Sequence, residues 1–197
     1  MLILVFAESA LETVPRDLWS HPAVGKHSRR RKKQPGLTIL DRSYHHGAMK
    51  GLSENEKRGR PDIIHFSLLE ALGSPLNRAG LLEVHVHTID DHVIYVDPQI
   101  RLPRNYERFI GLMEQLFQLG KVPKTGPALL SLEPKTISDL IMDIGPDYVV
   151  AFSRLGSSMT LRDVMTSLSS KGRMAAIIDG YQNVHFTQKT VSLTNEM

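Results

Sequence analysis

Three short and almost wholly apolar runs constrain the fold of this chain more than any other feature of its sequence. They are Met1–Ala7, Tyr148–Ser153 and Met174–Ile178. Each run is too short to cross a membrane as a helix, and unbroken apolar strands are typical of parallel sheets covered on both faces. Amphipathic helical stretches such as Phe109 to Phe117 separate these runs. The sequence therefore predicts an α/β fold with a mainly parallel sheet flanked by helices.

A second pattern, in residues 81–97, predicts a small β-hairpin. Apolar and polar side chains alternate on both sides of an acidic turn at Asp90 and Asp91. His85 and His87 would share one face of a strand, so a zinc site is geometrically conceivable. A polar strand face beside an acidic turn explains the same residues, and no helical His-Glu-x-x-His motif is present. We therefore expect no metal site in the hairpin.

Basic residues are concentrated in one segment, although the formal net charge of the chain is only +3. Between Lys26 and Lys33, all residues except His27 and Ser28 are lysine or arginine. Such a run is typical of a mobile, solvated loop, and it also suits nucleic-acid binding. We therefore predict a basic mobile loop over residues 25–35.

Targeting and redox signals are absent from the sequence. The apolar N-terminus lacks the basic segment and the cleavage site of a signal peptide, and no stretch has the length of a membrane helix. The chain contains no cysteine, which excludes disulfides, thiolate metal ligands and a cysteine nucleophile. These features lead us to expect a cytoplasmic protein without a membrane partner.

Arg58-Gly59-Arg60-Pro61-Asp62 is the first candidate binding motif. Pro61 suits the first turn of a helix, and Asp62 would lie where the helix dipole favours a carboxylate. Arginines on a loop beside a helix N-terminus form a plausible phosphate-binding surface. The alternative is a capped helix start with solvated arginines.

A second arginine group favours the binding interpretation. If a helix begins near Pro103, Arg104 and Arg108 are four residues apart on one face, with Arg101 just before it. Cations at a helix N-terminus oppose the dipole, so an anionic partner would explain their position. Glu107 could instead offset part of this charge locally.

Tyr44, His45 and His46 follow a predicted short strand. Polar groups after the carboxyl end of a strand often line a ligand crevice in α/β proteins. A plain polar connection between a strand and a helix explains these residues equally well.

Four segments together resemble a known family, the small-subunit ribosomal RNA pseudouridine N1-methyltransferases of archaeal type. These belong to the SPOUT, or α/β-knot, superfamily. The segments are Leu40–His45, Arg58–His65, Ser74–Gly80 and Arg101–Phe109, in the order that the family has. The resemblance implies one domain over residues 1–197 and a C-terminal trefoil knot. In the family a further helix completes the knot, so we expect the knot to be incomplete in this chain.

The resemblance also implies an activity and its partners. The family methylates N1 of a pseudouridine in small-subunit ribosomal RNA with S-adenosylmethionine, acting in ribosome biogenesis as a homodimer among other assembly proteins. Its RNA-contacting arginines correspond to Arg60, Arg101, Arg104 and Arg108. Asp62 corresponds to an acidic position that holds the arginine loop, and it is a candidate catalytic base. A non-catalytic assembly factor that binds the same RNA is the alternative, because it needs these arginines but no cofactor loops.

By the same resemblance, the cofactor site lies in a knot region over residues 148–197. One loop corresponds to a glycine-rich turn at Asp179–Val184, where Asp179 and Val184 replace glycines of the family and Gly180 remains. A second loop follows at the end of the chain. Its predicted cofactor-binding residues are Leu193, Thr194, Asn195, Glu196 and Met197.

Overall fold

Seven strands form a single sheet in the computed structural model, which describes residues 1–168, 171–182 and 184–197. In chain order the strands are β1 (Leu2–Ser9), β2 (Leu82–Thr88), β3 (Val93–Val96), β4 (Lys121–Val122), β5 (Leu130–Glu133), β6 (Tyr148–Phe152) and β7 (Met174–Asp179). Their spatial order is β4-β5-β3-β2-β1-β7-β6. Because β1 lies between β2 and β7, both of its edges are paired and both of its faces can be buried.

The helices pack on both faces of this sheet. They are α1 (Pro22–Arg31), α2 (Arg42–His45), α3 (Pro61–Gly73), α4 (Pro75–Arg78), α5 (Tyr106–Leu119), α6 (Ile137–Ile144), α7 (Leu161–Leu168) and α8 (Gln188–Val191). Short 3-10 turns lie at Arg16–Leu18, Pro35–Leu37, Met49–Gly51 and Asn55–Lys57. Within the described ranges, none of these helices combines the length and apolarity that a bilayer crossing requires.

The sheet is parallel on one side of β2 and antiparallel on the other. β1 pairs in parallel with β2 and β7, and β7 pairs in parallel with β6. β3, β5 and β4 continue the sheet in antiparallel register. The predicted α/β fold is confirmed. The predicted hairpin is also present as β2 and β3, but β2 is an inner strand of the sheet.

The core explains why β1 is apolar from Leu2 to Ala7. Phe6 of β1 faces α3 and α5, where it joins Ile64 and Phe109 in one buried cluster. Val5 faces the opposite side, where it joins Leu140 of α6. Burying a large apolar side chain stabilises a fold by about 1.5–3 kcal/mol. A strand segment that buries both faces therefore favours apolar residues at successive positions.

The predicted mobile loop over residues 25–35 is wrong, because most of it is helix α1. His21 caps this helix, since its Nδ1 accepts the backbone N–H of Ala23 at 3.2 Å. The arginines lie in the last turn, where the helix dipole favours cations. Arg31 and Lys33 then form ion pairs with the buried Glu114 of α5, at 2.8 and 2.6 Å. This contact between distant segments is what orders the basic run.

The predicted helix start near Pro103 is also wrong, because α5 begins at Tyr106. Asn105 is the N-cap, and its Oδ1 accepts the backbone N–H of Arg108 at 3.0 Å. Pro103 stays outside the helix, with its carbonyl accepting a 2.7 Å hydrogen bond from Nε2 of His65. Arg104 therefore precedes the helix and does not share a helical face with Arg108.

Candidate RNA and cofactor site

The motif that contains Arg60 lies at the carboxyl ends of β1 and β7. The backbone N–H of Arg60 donates to the carbonyl of Ala10 at 3.2 Å, and the N–H of Ala10 donates to the carbonyl of Gly180 at 2.9 Å. A side chain at Gly180 would place Cβ 2.7 Å from Cα of Ser9, so glycine permits this approach. In α/β proteins, ligands bind at this edge of the sheet.

The Arg60 side chain connects two of the predicted functional segments. Its Nε and Nη2 donate to the two carboxylate oxygens of Asp62 at 2.8 and 2.7 Å. Its Nη1 donates to Oε1 of Gln182, in the predicted cofactor turn. The hydrogen bonds from Arg60 hold the pKa of Asp62 below its ordinary value. Such a carboxylate is a weak base, so the geometry suits a positioning role for Asp62.

Arg58 has a different environment from Arg60, although it is only two residues away. Its Nε donates to Oε1 of Glu12 at 2.7 Å, and its Nη2 donates to the other oxygen of the same carboxylate. Glu12 is only 2% exposed, and this burial raises its pKa against the opposing effect of Arg58. Sequence reasoning missed Glu12. Arg58 is therefore committed to an internal ion pair.

Arg101, Arg104 and Arg108 are exposed, and within the described part of the chain none of the three guanidinium groups has an ion-pair partner. The alternative that Glu107 offsets their charge is wrong. Glu107 accepts instead from Arg31 at 2.7 Å and from the Tyr44 hydroxyl at 3.1 Å. The arginines thus remain available to an anionic ligand.

These arginines lie near Arg60 because α3 and α5 pack side by side. The ring of His65 in α3 stacks on Phe109 in α5, with centroids 4.4 Å apart. His65 also bonds Pro103, just before α5. The N-terminal ends of both helices therefore lie together, and their dipoles add positive potential to the arginine charges.

His45, a candidate crevice residue in the sequence, belongs to a buried hydrogen-bond network instead. His45 is fully buried, and its Nδ1 accepts the backbone N–H of Asp41 at 3.0 Å. Its Nε2 must therefore carry the proton, which it donates to Nδ1 of His27 at 2.9 Å. Burial, and then the neighbouring His27, lower the pKa of His45 to about 4. Tyr44 stacks on His27 at 4.2 Å, whereas His46 is exposed.

The hairpin histidines have internal partners. Nε2 of His85 lies 2.9 Å from Oε1 of Glu83, and Nε2 of His87 lies 3.0 Å from Oδ1 of Asp91. Burial lowers the pKa of both histidines. No group of three or more potential ligands in the described residues has a geometry that could hold a metal ion.

The last residues of the chain run along β6. The backbone N–H of Ala151 donates to the carbonyl of Glu196 at 3.0 Å, and that of Ser157 donates to the carbonyl of Met197 at 3.1 Å. A shallow groove results beside the carboxyl end of β6. Its lining residues include Phe152, Ser153, Gly156, Ser157, Met159, Glu196 and Met197. Sequence reasoning missed those between Phe152 and Met159, although a Gly/Ser-rich loop after a buried strand was a signal for them.

The predicted cofactor residues therefore separate into distinct environments. Asp179 and Gly180 lie near the Arg60 motif, and burial raises the pKa of Asp179 against the effect of Arg154. Glu196 and Met197 line the β6 groove. The remaining described ones have structural contacts: Val184 and Leu193 pack on the core, Thr194 donates to the Val191 carbonyl, and Asn195 accepts from Val149. Asn183, within the predicted turn, is outside the described residues.

The chain is similar over nearly its whole length to proteins of one known family. The family model described as EMG1/NEP1 methyltransferase matches residues 4–197. The ribosomal RNA small subunit methyltransferase Nep1 of Staphylothermus marinus is 45% identical over 192 residues, covering 97% of this chain and 83% of that protein. The Nep1 enzyme of Pyrococcus furiosus is 47% identical over 188 residues, covering 95% and 84% respectively.

A solved structure shares the fold. The crystal structure of Archaeoglobus fulgidus Nep1 bound to S-adenosylhomocysteine superposes with a TM-score of 0.85 and 37% sequence identity. The alignment covers 98% of this chain and 85% of that one. Because the family model spans nearly the whole chain and close relatives are aligned over most of their length, the chain belongs to the EMG1/NEP1 methyltransferase family.

Proposed function

We propose that this protein uses S-adenosylmethionine to methylate N1 of a pseudouridine in small-subunit ribosomal RNA, during ribosome biogenesis. Its relatives are named as small-subunit ribosomal RNA methyltransferases, and the similar solved structure holds S-adenosylhomocysteine. The observation that carries the proposal is the position of Arg60, which contacts Asp62 on one side and Gln182 of the cofactor turn on the other. One side chain thus connects the arginine motif with the proposed cofactor turn.

The residues that line the groove beside the carboxyl end of β6 suit S-adenosylmethionine chemically. Gly156 allows Met197 to approach closely, since a Cβ there would lie 2.5 Å from the Met197 carbonyl carbon. The groove combines apolar side chains with the hydroxyls of Ser153 and Ser157 and the carboxylate of Glu196. Such a mixture suits a ligand with an aromatic base, a ribose and a positive charge. When bound, the cofactor supplies a methyl group on a positively charged sulfur.

The chain's own residues then position the RNA. Arg60, Arg101, Arg104 and Arg108 bind backbone phosphates, while Asp62 fixes the plane of the Arg60 guanidinium. A base that is chemically modified must leave its stack. N1 forms a bond to the methyl carbon as the carbon–sulfur bond breaks, and the N1 proton passes to water. Positioning of the two reactants supplies most of the rate enhancement.

The same proposal includes a homodimeric state and a C-terminal knot. It also includes other ribosome assembly proteins as partners and the cytoplasm as the location. The dimer, the knot and the assembly partners come from the family resemblance, and the location is the one expected from the sequence. Sedimentation of the purified protein tests the dimer, because a monomer at the concentrations used for activity contradicts that part.

The experiment that tests the activity uses two short RNA hairpins that differ only in uridine or pseudouridine at one loop position. Labelled S-adenosylmethionine supplies the methyl group. We expect transfer to the pseudouridine hairpin alone. Tight binding of both hairpins without transfer to either would contradict the proposal and favour the non-catalytic assembly factor.

A further inference from the structure

A groove runs along the C-terminal half of α1 and the turn that follows it. Its lining includes Ser28, Arg29, Lys32, Lys33 and Gln34, and we call it the α1 groove. None of the residues that line it in the described structure is acidic. The proposed catalytic function uses none of these residues.

Ser28 lines the α1 groove, and its hydroxyl is a buried hydrogen-bond donor without a partner in the described structure. The residue as a whole is only 5% exposed. Buried polar groups are rarely left without a partner, so each exception needs an explanation. A ligand that accepts a hydrogen bond inside the groove would complete the coordination of this hydroxyl.

The charges around this hydroxyl select an anion. Arg29 and Lys32 are exposed, and neither has an ion-pair partner among the residues that the structure describes. Lys33 contributes further charge, although Glu114 neutralises part of it at 2.6 Å. The helix dipole accounts for cations in the last turn of α1, but it does not account for a buried hydroxyl without a partner beside them. A phosphate group accepts hydrogen bonds both from a hydroxyl and from the cationic side chains of lysine and arginine.

The α1 groove is connected to the surface formed by Arg60, Arg101, Arg104 and Arg108, which we call the arginine surface. Arg31 of α1 donates to Glu107 at 2.7 Å, and the Tyr44 hydroxyl donates to the same carboxylate at 3.1 Å. Glu107 directly precedes Arg108. The guanidinium of Arg30 lies 5.7 Å from the centroid of the Tyr44 ring. These contacts fix α1 beside the start of α5, so one RNA could reach both surfaces.

We propose that the α1 groove binds a backbone phosphate of the RNA outside the target loop, with Ser28, Arg29 and Lys32 as its ligands. The inference rests on the proposed function, because it takes ribosomal RNA as the partner. It adds a second contact region that would hold the flanking stem while Arg60, Arg104 and Arg108 hold the loop. Phosphate contacts of this kind fix the register of a nucleic acid without reading its sequence.

The test measures RNA affinity against salt concentration for Ser28→Ala and for Arg29→Gln with Lys32→Gln. A matched control, Lys121→Gln with Lys124→Gln, removes two exposed cations near the far end of α5. Each protein is titrated with a minimal hairpin and with the same hairpin on an extended stem. Thermal unfolding confirms that every variant is folded.

For the extended RNA, we expect the groove double variant to bind about tenfold more weakly, and its salt slope to fall by about 1, the change for one lost phosphate contact. Ser28→Ala should weaken binding without changing that slope, because it removes no charge. The minimal hairpin and the control variant should behave as in the wild type. Unchanged affinity of Ser28→Ala and of the double variant for the extended RNA would overturn the inference while leaving the proposed function intact. An equal loss on the minimal hairpin would also overturn it, and failure of the wild type to bind either RNA would refute both.

Discussion

At the scale of single residues, the partner of a side chain decides its role. Arg58 and Arg60 belong to one short motif, yet Arg58 is bound to the buried Glu12 and Arg60 bridges Asp62 and Gln182. Removing one partner of a buried ion pair typically costs about 3–5 kcal/mol of stability. We therefore assign Arg58 to stability and Arg60 to binding.

The bridge through Arg60 predicts a specific energetic coupling. Arg60→Ala should weaken RNA binding about tenfold, and Gln182→Ala should weaken it less, because it only releases Arg60 from one contact. If Gln182 acts through Arg60, the double variant should bind RNA no more weakly than Arg60→Ala alone. Affinities from a double-mutant cycle check this. Gln188→Ala, at an exposed glutamine of α8, is the control, and additive losses would contradict the coupling.

The buried His45 predicts a loss of stability in mild acid. Its folded pKa is about 4, below the ordinary value of about 6.5 for an unfolded histidine. The contribution of neutral His45 to the free energy of unfolding is therefore complete above pH 6.5. It is lost as pH falls toward 4, and the loss reaches about 3 kcal/mol at most. Chemical denaturation across this range checks the prediction. His45→Gln should flatten the pH dependence, and an unchanged slope in this variant would contradict the assignment.

At the scale of elements, helix ends place the functional groups. α3 begins directly after Arg60, and α5 begins directly after Asn105, so the ends of both helices carry the arginines. His65 joins the two elements through Pro103. Because this contact and the α5 cap set where the helix begins, they also set the directions of Arg104 and Arg108.

Asn105 should therefore affect both stability and RNA binding. Replacing an N-cap by alanine costs about 1 kcal/mol, and Asn105→Ala should also weaken RNA binding because the first turn with Arg108 loosens. Asn105→Asp retains an acceptor and should restore the free energy of unfolding. Denaturant unfolding and RNA titration together check this. Full RNA affinity in a destabilised Asn105→Ala would show that the cap does not position the arginines.

At the scale of the whole molecule, the site is assembled where the carboxyl ends of parallel strands meet. Gly180 allows the end of β7 to pack against Ser9 of β1. Ala10 then forms backbone hydrogen bonds with both Gly180 and Arg60. The sheet thereby determines the distance between the arginine surface and the proposed cofactor turn. The proposed RNA-binding arginines and the proposed cofactor turn lie close together because β1 pairs with β7.

This junction predicts a large effect of a small substitution. Gly180→Ala should lower the free energy of unfolding by about 1–3 kcal/mol, as overpacking in a close-packed interior does. It should also weaken the binding of both S-adenosylhomocysteine and RNA. Gly111→Ala is the matched control, because a Cβ added there would meet no neighbouring atom within 4 Å and alanine is favoured in helices. Denaturant unfolding of both variants, and their titration with S-adenosylhomocysteine and with RNA, check the prediction. Wild-type affinities in a stable Gly180→Ala would contradict the role of the junction.

Local sequence by itself determined the main elements of the fold. Strand runs such as Tyr148–Phe152, the proline at the start of α3 and the cap of α6 at Thr136 depend on neighbouring residues, so their patterns are legible in the chain. The arginine motifs were visible for the same reason. The resemblance to a known family added the activity and the expected site residues.

Only the tertiary structure decided which charges are free and which segments meet. Glu12 lies 46 residues from Arg58, Glu114 lies 83 residues from Arg31, and Gln182 lies 122 residues from Arg60. Ion pairs and hydrogen bonds over such separations leave no periodic trace in a sequence. They form because the sheet and its helices bring the partners together, and burial there makes an unpaired charge costly.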